Sequence, residues 1–141
     1  MKYIVFFKFN YSLTIEFIAS NFGGDLDFQE VIVSDFNKYV KKQNLDINIH
    51  RTSLTTLNSS IHVDEYAAFI EAKLKKKSKD YDIILVDNIY ANRFVDHVTD
   101  LSKYLSKDTI NKYSSGIAPK IGYVGEKLVI MVSYNYIIIY Y

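Results

Sequence analysis

The chain has no cysteine, no tryptophan and a single proline among its 141 residues. Without cysteine there can be no disulfide, no zinc–thiolate site and no thiol nucleophile, and nothing in that absence separates the inside of a cell from the outside. An excess of one charge is missing as well. Seventeen Lys and Arg stand against 16 Asp and Glu, a net of +1, so no whole-molecule field is available to hold a polyanion and nucleic acid is not the expected partner. No stretch approaches the roughly 20 apolar residues that span a bilayer.

Glycine is scarce too, with five in the chain, and their placement excludes several chemistries. A dinucleotide fingerprint needs three spaced glycines after the first strand; Gly23-Gly24 alone reads as a turn, and the phosphate-loop pattern is absent. The Gly-x-Ser-x-Gly elbow of a serine hydrolase does not occur, since Ser115-Gly116 lacks the preceding glycine and the strand-to-helix setting. His50, His62 and His97 fall on a strand, a loop and a helix without metal-ligand spacing. No cofactor, metal or catalytic set is expected.

What is abundant is apolar and aromatic: 49% hydrophobic residues, with 13 Tyr and 9 Phe. That is enough for one compact domain with a real core. Tyrosine at this density can line a sugar or amino-acid site, or reflect an AT-rich genome. At the amino terminus Lys2 precedes the apolar run Tyr3 to Phe7, which Lys8 and Asn10 interrupt; residues 1–12 read either as a signal segment or as an edge strand. Asn10-Tyr11-Ser12 and Asn58-Ser59-Ser60 match the N-glycosylation acceptor pattern and lean towards the secreted side.

The pattern along the chain predicts an α/β fold with a parallel-rich sheet flanked by helices. Leu13 to Ala19 is a strand that stops at the turn Asn21 to Asp25. A helix follows, capped by Asp27 with Glu30 three residues on, its apolar positions Phe28, Val31, Ile32, Phe36, Tyr39 and Val40 at helical spacing. Leu45 to His50 alternates with a period of two and reads as a half-buried strand. Arg51 to Ser60 reads as a polar loop, and a second helix starts near Val63 with Val63, Ala67, Ile70 and Leu74 facing inward. The lysine-rich run Lys73 to Lys79 suits a helix carboxyl end.

Tyr81 to Asp87 is a continuous apolar strand of the kind buried on both faces of a parallel sheet. Strand, helix, strand, helix, strand in this order implies parallel crossovers. A short helix over Tyr90 to His97 and a helical stretch near Ser106 to Tyr113 come next, and the remainder reads as strands. The apolar segment ending at Tyr141 reads as an uncovered strand, which suggests a truncated chain whose continuation would cover it.

In open parallel sheets ligands sit beyond the carboxyl ends of the strands. The loops there carry Asn21, Gly24 and Asp25 after the first strand, Ser53 after the second, and Asp87, Asn88 and Tyr90 after the third; Tyr134, in the last strand segment, joins this candidate set. Such amides, carboxylates and rings can meet the hydroxyls and apolar face of a sugar, or the ammonium of an amino acid. Two other readings remain open: a small α/β enzyme with an acid or base at the same strand ends, and an interaction domain that adds its apolar carboxyl-terminal strand to a partner's sheet.

The order of segments resembles the amino-terminal lobe of family 1 extracellular solute-binding proteins, with the periplasmic-binding-protein-like type II fold. The stretches that carry the likeness are Thr14 to Asp25, Val33 to Tyr39 before Leu45 to Ile49, Lys79 to Asp87, Val98 to Leu105, and Gly122 to Tyr141. The chain departs from the family at Val129-Ile130-Met131, where Gly-x-Pro is common. The resemblance implies that residues 13–141 form the first lobe of a two-lobed domain that binds a small solute and does no chemistry on it. Its partner would be a membrane transporter, and its place extracellular or membrane-associated. A narrower resemblance, over Leu74 to Ile84 and Asp87 to Tyr90, is to binding modules that precede class C seven-helix receptors in anaerobic gut fungi; it implies a sensing role beside a seven-helix receptor region.

Overall fold

A computed structural model describes residues 12–20, 28–55, 57–58, 63–112, 121–133 and 136–140. Strand β1 (Leu13–Ser20) leads to helix α1 (Phe28–Lys42), strand β2 (Ile47–Leu54), helix α2 (Val63–Lys75) and strand β3 (Ile83–Val86). A 3-10 turn over Asn88–Tyr90 runs into the short helix α3 (Ala91–Phe94), and a second over Leu101–Lys103 precedes α4 (Lys107–Lys112). Strands β4 (Tyr123–Val124) and β5 (Lys127–Leu128) form a separate hairpin, and β6 (Met131–Ser133) and β7 (Tyr136–Tyr140) return to the main sheet.

The main sheet has the order β2-β1-β3-β7-β6. Strands β1 and β2 are parallel over eight residue pairs, from Leu13↔Ile47 to Ser20↔Leu54, and β3 is parallel to β1 on its other side. Strands β7 and β6 complete the sheet as an antiparallel pair, with β7 against β3. The carboxyl-terminal strand therefore does not present the uncovered edge expected from its composition. It is paired on both sides, and its run of isoleucines suits an interior strand.

Alternation along the strands sends side chains to two cores. Phe17, Ala19 and Leu85 join Val33 of α1 on one face. Ile18, Ile84 and Val86 face the opposite way, into a larger cluster with Tyr66, Ala67, Ile70 and Leu74 of α2, Ala91 and Phe94 of α3, and Val129 and Ile130. The expected inner face of α2 is thus present at Ala67, Ile70 and Leu74, while Val63's side chain lies outside the described residues. In α1 the buried positions are Gln29, Val33 and Val40. Phe28, Val31, Ile32 and Tyr39, read from the sequence as part of one inward stripe, point outward instead, because their angular positions on the helix lie beyond the arc that β1 and β2 can cover.

Strand β2 runs through Leu54, four residues past the half-buried strand expected from the sequence. Arg51, Thr52 and Ser53 look like loop residues because β2 flanks the described sheet, where half-exposure tolerates polar side chains. The segment after β3 also differs from the expected single helix, being a 3-10 turn followed by four α-helical residues.

Both long helices end on a left-handed residue. Asn44 has φ 54°, with the Asn44 amide donating to the Lys41 carbonyl (3.2 Å) and the Leu45 amide to Val40 (2.9 Å). Lys77 has φ 50° and repeats the pattern, its amide donating to Leu74 (2.9 Å) and that of Ser78 to Lys73 (3.1 Å). These are Schellman closures, in which the left-handed residue is best a glycine. The lysine-rich run is held within the domain: Lys73 bonds Asp80 at 2.7 Å and lies 5.6 Å from the Phe69 ring, and Lys75 bonds Glu71 at 2.8 Å. A lysine at φ above zero carries a steric cost that glycine escapes. Lys77→Gly is therefore expected to raise the unfolding free energy by about 0.5–1 kcal/mol, measured by urea unfolding; a loss of stability would show that Lys77 contributes a contact outweighing its backbone conformation.

Candidate functional site

The parallel strands end together, at Ser20, Leu54 and Val86. Pairing of β1 with β3 covers only Phe17↔Ile83 and Ile18↔Ile84, so it stops two residues before either strand ends. Beyond that point the chain leaves β1 for α1 on one face and leaves β3 for α3 on the other, as the two cores show. Adjacent strands whose connections diverge to opposite faces leave a crevice at their carboxyl ends, the general place for a ligand in an open α/β sheet.

One wall is the segment after β3. Asp87 is exposed, its Oδ1 accepting the Ile89 amide (3.2 Å) and its carbonyl accepting the Tyr90 amide (3.1 Å). This turn leaves the second carboxylate oxygen of Asp87 outside the hydrogen bonds described for it. Tyr90 is half-buried and its ring stacks on the fully buried Phe94, with centroids 6.1 Å apart and planes 27° from parallel. Ile89 beside it is 70% exposed. For Asn88 the backbone alone is described.

On the far side of β1, Ser53 stands opposite Ala19 in the register. Its hydroxyl is buried and has no hydrogen-bond partner, so the side chain expected at the rim is turned inward, onto the α1 face. The Ser53 carbonyl accepts Asn58 Nδ2 (2.8 Å), and Asn58 Oδ1 accepts the Thr55 amide (2.8 Å). The amide of this glycosylation triplet thus closes the turn that follows β2. Asn21, Gly24, Asp25 and Tyr134 lie outside the described residues. Of the residues expected at the site, the fold therefore brings Ser53, Asp87 and Tyr90 to one end of the sheet, Asp87 and Tyr90 on the segment that leaves β3, with Tyr90 packed against the main core.

Sequence reasoning missed the polar groups that brace this end. Gln29, buried at the start of α1, donates to the Ser20 carbonyl (3.3 Å) and accepts from Arg51 Nη1 (3.1 Å), and Arg51 also bonds Glu30 (3.2 Å). Nothing in the spacing marks Arg51 once it is read as a loop residue. Tyr66 buries its ring in the main core and donates its hydroxyl to the Leu85 carbonyl (3.1 Å); burial, with Tyr81 adding to it, pushes the phenol well above its usual range. The Tyr66–Ile70 spacing of i,i+4 was the available signal.

Outside the crevice, Asp100 ties two distant segments together. Its Oδ1 accepts Ser102 Oγ (2.7 Å), the Ser102 amide (3.1 Å) and the Leu128 amide of β5 (3.3 Å). His50 Nδ1 lies 2.7 Å from Glu16 Oε2. Among the described residues no group of three or more His, Cys, Asp or Glu could hold a metal ion, and no helix is long and apolar enough to cross a membrane.

The fold defined by this sheet and its crevice is that of solute-binding proteins. A sugar transporter of Rhizobium etli, solved in an open conformation, superposes with a TM-score of 0.59 at 17% identity over 84% of this chain and 28% of its own. An N-glycan transport solute-binding protein of Streptococcus pneumoniae, in complex with Man1GlcNAc, matches with a TM-score of 0.55 at 18% identity, over 84% of this chain and 24% of its own. An ABC substrate-binding protein of Listeria monocytogenes, in complex with cycloalternan, matches with a TM-score of 0.57 at 16% identity, over 86% and 29%. The chain thus spans about a quarter of the length of these proteins. No protein-family model and no curated protein sequence matches it.

Hydrogen bonds from Ser102, first from its hydroxyl, hold the Asp100 carboxyl below the usual carboxylate range, with the Leu128 amide and Lys103 adding to the effect. A lowered folded-state value means that this group stabilises the fold above its unfolded value, and that the contribution fades as pH falls through the folded one. Asp100→Asn should therefore melt below the native chain at pH 7, with the gap narrowing as pH drops below about 4. A gap in melting temperature that is constant from pH 7 to 3 would contradict this role.

Proposed function

We propose that this chain binds a neutral, hydroxyl-rich solute, a carbohydrate, at the crevice between the ends of β1 and β3, and that binding serves transport or sensing on the outer side of a membrane. The observation that carries this reading is the early end of β1–β3 pairing, at Ile18↔Ile84, where the connections leave to opposite faces. The chemistry of the rim suits it. Asp87 offers a carboxylate acceptor to hydroxyls, and Tyr90 and Ile89 offer apolar surface to the face of a sugar ring. Support of a different kind comes from the fold's neighbours, which are described as transporting or binding sugars and glycans.

A chain that spans about a quarter of those proteins furnishes one wall of a site. The opposing wall, and the closure that a transporter or a seven-helix receptor region detects, would come from polypeptide beyond it. Affinity of the 141 residues alone is accordingly weak, since half of the contacts are missing.

Saturation-transfer NMR with maltotriose, cellotriose and Man1GlcNAc tests this. At least one saccharide is expected to bind with a Kd of about 1 mM or weaker, and Asp87→Ala to weaken it by about fivefold or more, the loss of one hydrogen bond to a charged acceptor. Failure of a cooperatively folded chain to receive or pass saturation from any of the three would contradict the proposal. So would binding that survives both Asp87→Ala and Tyr90→Ala.

A further inference from the structure

The ring at the rim is placed by contacts that lie outside the crevice. Tyr90 precedes α3, a helix of four residues with no side-chain cap at its start, far too short to hold its own conformation. Two side chains of that helix fix it to the body of the domain. Phe94 is fully buried and carries the Tyr90 ring on its face. Arg93, on the neighbouring position, reaches back to Glu71 of α2, 22 residues earlier.

Both oxygens of Glu71 are engaged, one by Arg93 and one by Lys75. Its Oε2 accepts from Arg93 Nε at 2.7 Å and from Arg93 Nη2 as well, and its Oε1 takes Lys75 Nζ at 2.8 Å. The Glu71 side chain is 18% exposed against 40% for Arg93. An exposed ion pair of arbitrary geometry contributes little. Several charge-assisted donors converging on one shielded carboxylate set an orientation, since a planar guanidinium accepts few others. The same donors, Arg93 first and then Lys75, hold the carboxyl down to about 2, so it stays ionised at any pH at which a saccharide would be tested.

We propose that Glu71 is a positioning residue of the ligand site: through Arg93 it sets α3, and through α3 it sets the Tyr90 ring at the crevice. The proposal rests on the binding reading above. The described contacts of Glu71 are with Arg93 and Lys75, so on this account its effect on ligand passes through Tyr90 and is absent when the ring is absent.

Hydrogen exchange and titration with whichever of maltotriose, cellotriose and Man1GlcNAc the native chain binds, both on the whole chain, test it. Glu71→Gln is expected to speed exchange of the Ile89, Tyr90 and His97 amides about three- to tenfold beyond any change in β1, because those amides close the turns around α3. The variant should also weaken binding of that saccharide about three- to tenfold, with Arg93→Lys behaving alike because lysine keeps the charge and loses the planar pair of donors. In a Tyr90→Ala background the Glu71→Gln loss should disappear. Exchange that rises equally in β1 and in residues 89–97, or an affinity loss that persists without Tyr90, would overturn the proposal by showing a global role. Binding by the native chain that Glu71→Gln leaves unchanged removes the positioning role alone, whereas no binding of maltotriose, cellotriose or Man1GlcNAc by the native chain removes the reading on which it rests.

Discussion

Strand β1 is the constraint on which the rest of the structure depends. It pairs in parallel with β2 on one side and β3 on the other, and its successive residues Phe17, Ile18 and Ala19 are buried on alternate faces. A strand enclosed on both edges and both faces has to be covered by helices above and below. The residues between β1 and β2 supply α1 on one face, and those between β2 and β3 supply α2 on the other. With α3 on the same face as α2, the chain leaves β1 and β3 to opposite faces. The crevice is a consequence of covering β1, and it would exist whatever side chains lined it.

How much of this could be read from the sequence depended on how fully each element is buried. The Tyr81–Asp87 stretch was legible because a strand buried on both faces has nowhere to place a polar residue, and β3 occupies its centre. Helix α2 was legible through Ala67, Ile70 and Leu74. Strand β2 was legible only in its first half: beyond His50 come the polar Arg51, Thr52 and Ser53, whose strand conformation comes from pairing with β1 rather than from their own preference. The outward side of α1 was misread because periodicity reports which residues share a helical arc and not whether a neighbour exists to cover it. The carboxyl-terminal isoleucine run was read as needing neighbours; they are β6, next to it in sequence, and β3, paired across some fifty residues in a way that no local pattern encodes.

The site divides in the same way. Asp87 and Tyr90 were legible because they follow the clearest strand, and position alone places them at its carboxyl end. The direction of the Ser53 hydroxyl was not legible, since the register that turns it towards α1 with Ala19 is set by β1. Glu71 and Arg93 carried no local signal, being 22 residues apart on different helices. The stretch Asp100-Leu101-Ser102, part of the likeness to solute-binding proteins, owes its form to a structural role, because the Asp100 carboxylate ties the turn to β5 through the Leu128 amide.

The claim that the β1–β3 opening is where solute binds is tested most directly by mapping amide shifts of the isotopically labelled chain during titration with whichever of maltotriose, cellotriose and Man1GlcNAc it binds. The largest changes should fall at residues 18–20 and 84–90, bordering the opening, with smaller ones in the turn after β2. Changes centred on the exposed face of α1 at Val31, Ile32 and Tyr39, or on the β4–β5 hairpin, would contradict it.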